Sequence, residues 1–468
     1  MENKEFKPDE SFRDSIATIN KQGNRAWIFA KKPKGKYTNR RTFFSIAYLI
    51  GFFLLPFVKI NGEPLFLFNV VERKFIVFGG VFWPQDLFLF ALAMLTFIVF
   101  IVLFTVVFGR IFCGWMCPQT IFMDMVFRKI EYWIEGDAPK QKKLDKQPWN
   151  AEKIRKKAIK IIVFYLVSFI FTNVFLSYII GMDDLLKMIS EPITKNLASL
   201  ISLLLFTFIF FLVYLRFREQ VCIVVCPYGR LQGVLLDKNS ILVAYDYIRG
   251  EPRSKHTKEK DGKTGACINC HQCVDVCPTG IDIRNGTQLE CINCTACIDA
   301  CDNVMDAIGS PKGLIRYDSE FGIANNEKLK ITPRIIAYSV VLTLLLGVLI
   351  TLLVTRTDVE TTIFRTPGML YQDQPNNKIS NLYNIKIINK TRDFKPVVLK
   401  MESEGCEIKM VGNDTIKLEK QNVANGEFFI IMDRSKIKAR KTKLSIGVYS
   451  NGEKITSVNT NFLGPGIN

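Results

Sequence analysis

Five long apolar stretches run through the 468-residue chain, and none of them contains a charged residue. They lie at roughly residues 43–58, 87–108, 161–180, 197–215 and 335–354. A helix of about 20 apolar residues crosses the hydrocarbon core of a bilayer, where the backbone must pair its own polar groups. The sequence therefore predicts a multi-pass α-helical membrane protein with about five spans, the first of which is short and ends near Pro56.

The basic residues are divided unevenly between the connecting segments. Segments 1–41 and 109–157 each carry eleven Lys and Arg residues, whereas segments 59–85 and 181–197 carry three and two. Because cytoplasmic loops are enriched in Lys and Arg, we predict that segments 1–41, 109–157 and 216–334 are cytoplasmic and that the chain after Val354 is outside. The net charge of +18 then reflects membrane topology and does not indicate nucleic-acid binding.

Two cysteine runs in the predicted cytoplasmic segment carry the strongest chemical signal. "CINCHQCVDVCP" at 267–278 and "CINCTACIDAC" at 291–301 both have the spacing C-x2-C-x2-C-x3-C. This is the spacing of bacterial ferredoxins with two 4Fe–4S clusters, in which the fourth cysteine of each run binds the other cluster. Zinc sites and spare thiols are the alternatives, but eight ligands in two matching quartets favour iron–sulfur clusters. The predicted ligands are Cys267, Cys270, Cys273 and Cys301 for cluster one, and Cys291, Cys294, Cys297 and Cys277 for cluster two.

A second cysteine motif, Cys-x-x-x-Cys-Pro, occurs twice, at the predicted inner ends of the second and fourth spans. Residues spaced i, i+4 share one face of a helix, and the following proline predicts a bend. Paired thiols suit Cu(I) among biological metals. The alternatives are a further iron–sulfur site, a redox disulfide, or plain packing, and either one shared site or two separate sites is possible. The candidate copper-binding and catalytic residues are Cys113, Cys117, Cys222 and Cys226.

The sequence predicts five consecutive parts. Residues 1–41 form a basic N-terminal arm, and residues 42–233 form a four-helix membrane domain that contains both Cys-x-x-x-Cys-Pro motifs. Residues 234–333 contain an α+β dicluster ferredoxin domain at about 260–312, residues 334–355 form the fifth span, and residues 356–468 follow outside. About seven short alternating strands in the last part predict an all-β, immunoglobulin-like sandwich. No function is predicted for its single Cys406.

Several longer motifs resemble the CcoG family, also called FixG or RdxA. They include "RAWIFAKKPKGKYTNRR", "FGRIFCGWMCPQTIFMDMVFRKIEYWIEG" and "YIRGEPR", and the resemblance extends to the sandwich. It implies a bacterial inner-membrane protein with a cytoplasmic N-terminus and ferredoxin domain and a periplasmic C-terminal domain. It also implies reduction of Cu(II) to Cu(I) for assembly of cbb-type cytochrome c oxidase, with copper as substrate. The implied partners are oxidase assembly factors, copper carriers and a cytoplasmic electron donor, and a homodimer is possible.

Two other functions are consistent with the same motifs. Membrane proteins of the NapH type resemble this chain in their four spans, paired Cys-x-x-x-Cys-Pro motifs and ferredoxin insert, and they predict quinol-linked electron transfer. An assembly scaffold with structural clusters is the other alternative, because the sandwich carries no evident catalytic group. Quinol-linked cluster reduction that does not depend on copper would favour the first alternative. Oxidase assembly that is still supported by protein lacking clusters would favour the second.

Overall fold

The computed structural model divides the chain into two compact units. Unit 1 comprises residues 1–79 and 87–349, and unit 2 comprises residues 80–86 and 350–468. Most of the predicted N-terminal arm lies outside the described residues. The structure describes residues 18–19, 22, 24–60, 62–70, 74–78, 80–82, 86–192, 197–254, 264–326, 331–356, 359–368, 370–390, 394–413, 415–419, 422–437 and 439–465.

Helices account for most of unit 1. The α-helices are α1 (Lys36–Leu54), α2 (Leu87–Phe108), α3 (Ile111–Trp115), α4 (Pro118–Ile121), α5 (Arg128–Ile134), α6 (Ala138–Lys146), α7 (Ala151–Ile180), α8 (Met182–Ser190), α9 (Leu197–Leu212), α10 (Pro227–Leu235), α11 (Tyr247–Gly250), α12 (Gln272–Asp275), α13 (Ala296–Ala307), α14 (Glu320–Asn325) and α15 (Pro333–Val354). Among the described residues, three π-helical turns lie at Phe122–Phe127, Val213–Phe217 and Val221–Val225. Short 3₁₀ turns lie at Leu55–Phe57 and Ile283–Asn285 in unit 1 and at Arg434–Lys436 in unit 2.

Strands account for most of unit 2 and for short hairpins elsewhere. They are β1 (Lys59–Ile60), β2 (Glu63–Pro64), β3 (Phe66–Asn69), β4 (Lys74–Val77), β5 (Gly80–Phe82), β6 (Leu242–Tyr245), β7 (Ile315–Asp318), β8 (Val359–Arg365), β9 (Gln372–Gln374), β10 (Lys378–Asn389), β11 (Lys395–Met401), β12 (Cys406–Met410), β13 (Ile416–Leu418), β14 (Val423–Asp433), β15 (Lys441–Ser450) and β16 (Glu453–Leu463).

Five helical segments of the described chain are long and apolar enough to cross a membrane, as predicted. They are Lys36–Phe57, Phe88–Phe108, Ala151–Ile180, Leu197–Phe217 and Pro333–Val354. The first and third helices begin earlier than their apolar stretches, at Lys36 and Ala151, because each has a polar N-terminal extension. The helix assigned to the first span therefore begins inside the segment predicted to be the N-terminal arm.

The ferredoxin segment is closed by a two-stranded sheet. Strand β6 pairs antiparallel with β7, from Leu242 opposite Asp318 to Tyr245 opposite Ile315. The cysteine turns and helices α12 and α13 lie between these strands in the chain, so the folded segment extends beyond the predicted 260–312. A buried core joins Val243 and Tyr245 of the sheet to Met305 of α13 and to several of the cysteines.

Unit 2 contains an antiparallel sandwich. One sheet has the order β12-β14-β10-β8, with β9 also paired to β10, and the other has the order β13-β11-β15-β16. Alternate side chains of both sheets form one core, including Ile385, Phe428 and Ile446. Nine strands are described in this tail where about seven were predicted, because a short edge strand such as Gln372–Gln374 contains no apolar residue and so has no alternating pattern. Cys406 is half-buried and packs against the core.

Candidate iron–sulfur and metal centre

The two ferredoxin cysteine runs adopt the same backbone turn. Asn269 and His271 in the first run, and Asn293 and Thr295 in the second, all have left-handed backbone conformations, with φ between 52° and 66°. They occupy equivalent positions, two residues and four residues after the first cysteine of each run. Left-handed residues of this kind form concave nests of backbone N–H groups, which occur around iron–sulfur clusters. The local backbone of both runs therefore fits a cluster.

The first group of thiols contains the fourth cysteine of the second run. Cys301 interacts electrostatically with Cys267, Cys270 and Cys273. Burial raises the pKa of the Cys273 and Cys301 thiols to about 12, since a buried thiolate is poorly solvated and the Arg284 charge near Cys273 offsets only part of that cost. Cluster binding would supply the missing positive charge. These four residues form the set predicted for cluster one.

The second group has the reciprocal composition. Cys297 interacts electrostatically with Cys291, Cys294, Cys277 and also Cys273. All five thiols line one small cavity inside the ferredoxin segment. Burial raises the pKa of Cys291 to about 12 and that of Cys294 to about 11. The structure thus brings together the four cysteines predicted for cluster two.

Among the described residues, no three thiol, imidazole or carboxylate groups are placed as the ligands of a single metal ion. A 4Fe–4S cluster does not require that arrangement, because each cysteine binds a different iron of the cube. The donor set, two groups of four thiols in nested turns, fits two such clusters. His271 is exposed, and its Nδ1 lies 3.0 Å from an Arg284 guanidinium nitrogen.

The two membrane-edge motifs also share one backbone turn. Gly109 and Arg218, each four residues before the first cysteine, both have left-handed φ angles, +58° and +53°. The amide of Cys117 donates to the Phe112 carbonyl at 2.9 Å, and the amide of Cys226 donates to the Val221 carbonyl at 2.8 Å. These i to i−5 bonds replace the single continuous helical face that the spacing predicted. The Cys-x-x-x-Cys-Pro motif that occurs twice in the sequence therefore also forms the same local turn twice.

The four membrane-edge thiols converge. Cys113 interacts electrostatically with Cys117 and Cys226, and Cys222 interacts with Cys117 and Cys113. Burial raises the pKa of Cys113 to about 11 and that of Cys222 to about 12. The Cys113 thiol donates to the side-chain oxygen of Gln232 at 3.0 Å. The four thiols therefore lie in one neighbourhood, although no three of them are placed as ligands of a single metal ion among the described residues.

The first membrane-edge turn packs directly against the turn that carries the predicted cluster-two ligands. Cys113 and Cys294 belong to the same buried core, together with Ile292. The Trp115 indole nitrogen donates to the Asn293 carbonyl at 3.2 Å. Arg110 is only 3% exposed and interacts electrostatically with both Cys113 and Cys291. The membrane-edge thiols and the second group of ferredoxin thiols are therefore neighbours in the fold, although about 180 residues separate Cys113 from Cys294 in the sequence.

Gly114 permits this close packing. A Cβ atom there would lie 2.3 Å from the Ile292 carbonyl oxygen and 3.0 Å from the Cys294 amide nitrogen, both backbone atoms. We expect Gly114→Ala to force the two turns apart and to lower the free energy of unfolding by about 1–3 kcal/mol, the usual cost of overpacking. Thermal unfolding of the purified protein measures this.

The matched control for Gly114→Ala is Gly51→Ala in helix α1, where an added Cβ meets nothing within 4 Å. We expect that control to unfold at the wild-type temperature or slightly above it, since alanine favours helix over glycine. Equal stability of the Gly114→Ala and Gly51→Ala variants would contradict the packing described here.

A buried ion network lies beside the cysteine turns. Asp124 pairs with Arg41 at 2.8 Å and with Arg128 at 3.2 Å, and Arg128 also lies 3.4 Å from Glu219. Burial alone would raise the pKa of Asp124, but Arg128 and Arg41 hold it below its ordinary value. Arg41 donates to the Gly114 carbonyl at 2.6 Å. Because unpaired buried charges are costly, the network fixes the position of the first turn.

Sequence reasoning missed Arg110, Gln232 and the ion network. Arg110, Glu219 and Gln232 lie within a few residues of a Cys-x-x-x-Cys-Pro motif, but charges at the end of a span are equally explained by membrane topology. Arg41 lies far from both motifs in the sequence and has no such signal. A small cavity lined by Gln119, Cys222 and Thr279 lies beside the second turn, and the Gln119 side-chain nitrogen is buried without a hydrogen-bond partner among the described residues. The cavity has a volume of about 20 Å³, which is enough for a single water molecule and for no larger ligand.

Comparison with known proteins supports the iron–sulfur assignment. A family model described as a 4Fe–4S dicluster domain matches residues 217–320, and one described as a 4Fe–4S binding domain matches residues 90–140. A third, for the IG-like fold at the C-terminal of FixG, matches residues 349–465. The iron–sulfur and immunoglobulin-like predictions are thereby confirmed.

Three curated proteins are similar to much of the chain. The nitrogen fixation protein FixG of Rhizobium meliloti (strain 1021) is 33% identical over 316 residues, which cover 64% of this chain and 59% of FixG. Proteins RdxA and RdxB of Cereibacter sphaeroides are 34% and 35% identical over 296 and 301 residues, and each match covers 62% of both chains. The matched region thus spans about 60% of the length of these relatives.

Proposed function

Because this chain belongs to the FixG family of iron–sulfur membrane proteins, we propose that it transfers single electrons to copper and reduces Cu(II) to Cu(I) at the four membrane-edge thiols. The observation that carries the proposal is the shared core of Cys113 and Cys294, which joins the membrane-edge turn to a ferredoxin turn. An electron-transfer protein needs its donor and acceptor sites close together. The packing of these two turns provides that.

The ferredoxin cysteines hold the electron source in this proposal. Two 4Fe–4S clusters, when bound, supply single electrons at low potential. Cluster one is assigned to Cys267, Cys270, Cys273 and Cys301, and cluster two to Cys291, Cys294, Cys297 and Cys277, on the two thiol groups described above. The second group is the one beside the membrane-edge turn, which makes it the proposed immediate donor.

The membrane-edge thiols act on the copper substrate through ligand preference. Thiolates favour Cu(I), whereas Cu(II) favours nitrogen and oxygen ligands. Binding by Cys113, Cys117, Cys222 and Cys226 therefore makes the reduction of Cu(II) more favourable. Each Cu(II) ion gains one electron and becomes Cu(I), so the reaction balances with one cluster electron for each copper ion.

The physiological setting is proposed from the family. The ferredoxin segment and N-terminus face the cytoplasm of a bacterium and the sandwich faces the periplasm, in agreement with the distribution of basic residues. The Cu(I) product serves assembly of cbb-type cytochrome c oxidase, and the partners are oxidase assembly factors and copper carriers. A cytoplasmic electron donor supplies the electrons, and the chain forms a homodimer.

Metal analysis of protein purified without oxygen tests the proposal. We expect about eight irons per chain, two cubes of four, and copper that is lost in the Cys113→Ser/Cys222→Ser double variant while the iron remains. Copper content unchanged by the double substitution would contradict a thiol site for copper.

A second candidate is favoured by one observation. The family model described as a 4Fe–4S binding domain matches residues 90–140, which contain Cys113 and Cys117 but no other cysteine. A third cluster held by both membrane-edge turns would bring the iron content to about twelve. The same metal analysis distinguishes this outcome, because the double variant would then lose about four irons and no copper.

Arg110 offers a test of coupling between the membrane-edge thiols and the second group of ferredoxin thiols. A buried unit charge several ångströms from a redox centre contributes about 2 kcal/mol at an effective dielectric constant of about 20. We expect Arg110→Gln to lower the midpoint potential of one cluster on the order of 50 mV, since the positive charge favours the reduced state. Potentiometric titration followed by electron paramagnetic resonance measures it.

The charge-conserving Arg110→Lys variant is the control for that shift. It is expected to retain most of the wild-type potential, because the lysine keeps the positive charge. The lysine cannot keep both guanidinium hydrogen bonds, which go to the Gln232 side-chain oxygen and the Leu289 carbonyl. Identical potentials in the wild type and the Gln variant would show that Arg110 does not face a cluster.

A further inference from the structure

A large cavity opens beside the predicted cluster-two turn. It has a volume of about 1020 Å³ and is enclosed by the segment before helix α1, by helix α5 and by the start of helix α13. Its lining includes Cys294 and Ala296 on one side and the aromatic residues Tyr132 and Trp133 on another. This volume suits a nucleotide-sized small molecule. Anything bound there lies against a proposed cluster ligand.

The cavity is cationic. Its two carboxylates are already engaged: Asp124 pairs with arginines, and Asp137 accepts hydrogen bonds from the backbone amides of Lys32 and Ala138. Burial and the nearby positive charges of Lys32 and Arg41 lower the pKa of Lys129. The exposed lysines on its lining are Lys32, Lys34, Lys129 and Lys140.

The surroundings define the chemistry of the ligand. Several ammonium groups at one opening, which have no ion-pair partner within the described part of the chain, favour a phosphate-bearing molecule. Trp133 is 79% exposed at this opening and offers a ring face for stacking. The position of Cys294 selects a redox-active ligand that gives electrons singly, because a 4Fe–4S cluster accepts one electron at a time. A nicotinamide transfers hydride, whereas a flavin hydroquinone gives two electrons in separate steps.

We propose that this cavity binds a phosphorylated flavin, such as reduced flavin mononucleotide, as the electron donor of the protein. The phosphate lies among the lysines, and the ring system stacks near Trp133 and faces the Cys294 turn. One flavin hydroquinone is oxidised to flavin, its two electrons reduce two clusters by one electron each, and its two protons leave to solvent. The redox step rests on the proposed function, whereas binding of the flavin does not.

An anionic phospholipid headgroup shares the same phosphate chemistry. The cavity lies at the start of helix α1, the first candidate membrane span, so lipid could also reach the lysines. The two sources differ in one respect. Lipid provides neither an aromatic ring nor electrons.

Equilibrium dialysis of flavin mononucleotide against the full-length, cluster-loaded protein in phosphatidylcholine nanodiscs tests the proposal. The Lys129→Gln/Lys140→Gln variant is expected to bind about tenfold more weakly, since each exposed charge pair contributes up to about fivefold. The matched control is Lys142→Gln/Lys143→Gln, which removes the same charge from exposed positions of helix α6 outside the cavity lining. It is expected to bind like the wild type.

Two further arms separate the outcomes. Riboflavin, which lacks the phosphate, is expected to bind weakly and with no dependence on the lysines, and anaerobic reduced flavin mononucleotide is expected to bleach cluster absorbance without copper present. Absent flavin binding, or equal weakening in both double variants, would overturn the proposal. So would lysine-dependent retention of phosphatidylglycerol by protein that binds no flavin, since the cavity would then be a headgroup site. No arm uses copper, so failure of the copper proposal leaves these results readable.

Discussion

The Cys113→Ser/Cys117→Ser variant is expected to lose copper reduction by at least about 100-fold. Even residues that only support a metal ligand commonly cost 10- to 100-fold when replaced, and this change removes two of the four converging thiols. The rate of Cu(I) formation, followed with a Cu(I)-specific chelator after chemical reduction of the protein, measures the loss. Cluster absorbance is expected to remain at the wild-type level.

Cys406→Ser is the matched control for that variant. Cys406 is a half-buried thiol that packs against the sandwich core in unit 2. It belongs neither to the membrane-edge thiols nor to the ferredoxin thiols. We expect it to reduce copper at the wild-type rate. Copper reduction that survives in the Cys113→Ser/Cys117→Ser variant would show that the membrane-edge thiols are not the site at which copper is reduced.

The second large effect is expected from Cys297→Ala. Cys297 lines the cavity of the second thiol group, and its replacement should remove cluster two and lower the iron content from about eight to about four per chain. Metal binding contributes directly to folding of such small domains, so protease resistance of the ferredoxin segment should fall as well. Iron analysis and limited proteolysis measure both effects.

A contrast with Cys270→Ala tests which cluster lies beside the membrane-edge thiols. Cys270 is the exposed member of the first group. Its replacement should also remove four irons, but copper reduction driven by a chemical reductant should persist, because the donor next to Cys113 is intact. Cys297→Ala should abolish it. Equal rates of copper reduction in the Cys270→Ala and Cys297→Ala variants would contradict the assignment of cluster two to the position beside Cys113.

The cysteine groups could be predicted from sequence because ligand spacing is local. Three thiols of each run lie on one short turn, and the crossed fourth ligand follows from the doubled pattern. The left-handed residues Asn269 and Asn293 fit as well, since asparagine tolerates that conformation better than most residues. Local chemistry determines these features, so one sequence was sufficient.

Long-range packing could not be predicted in this way. Nothing in the spacing indicates that Gly114 lies against the Ile292 carbonyl, or that a sheet joins Leu242 to Asp318 across the ferredoxin segment. These contacts depend on how separate elements meet. The i to i−5 bonds replaced the predicted continuous helical face for a similar reason, because a left-handed residue such as Arg218 carries no side-chain signature of its conformation.

The buried charges show the same limit. Three charged residues, Asp124, Arg128 and Glu219, lie in segments whose charges could be explained by membrane topology alone. In the structure they are almost fully buried, and Arg128 pairs with both carboxylates. Only the folded arrangement distinguishes a buried ion network from a solvated loop.

Rapid mixing of anaerobically reduced protein with Cu(II) tests the central claim most directly. We predict that cluster absorbance returns to its oxidised level as one Cu(I) forms for each electron released, and that this coupled reaction is lost in the Cys113→Ser/Cys117→Ser variant. Clusters that stay reduced in the presence of Cu(II), or that are oxidised equally fast in the variant, would contradict electron transfer to copper at the membrane-edge thiols.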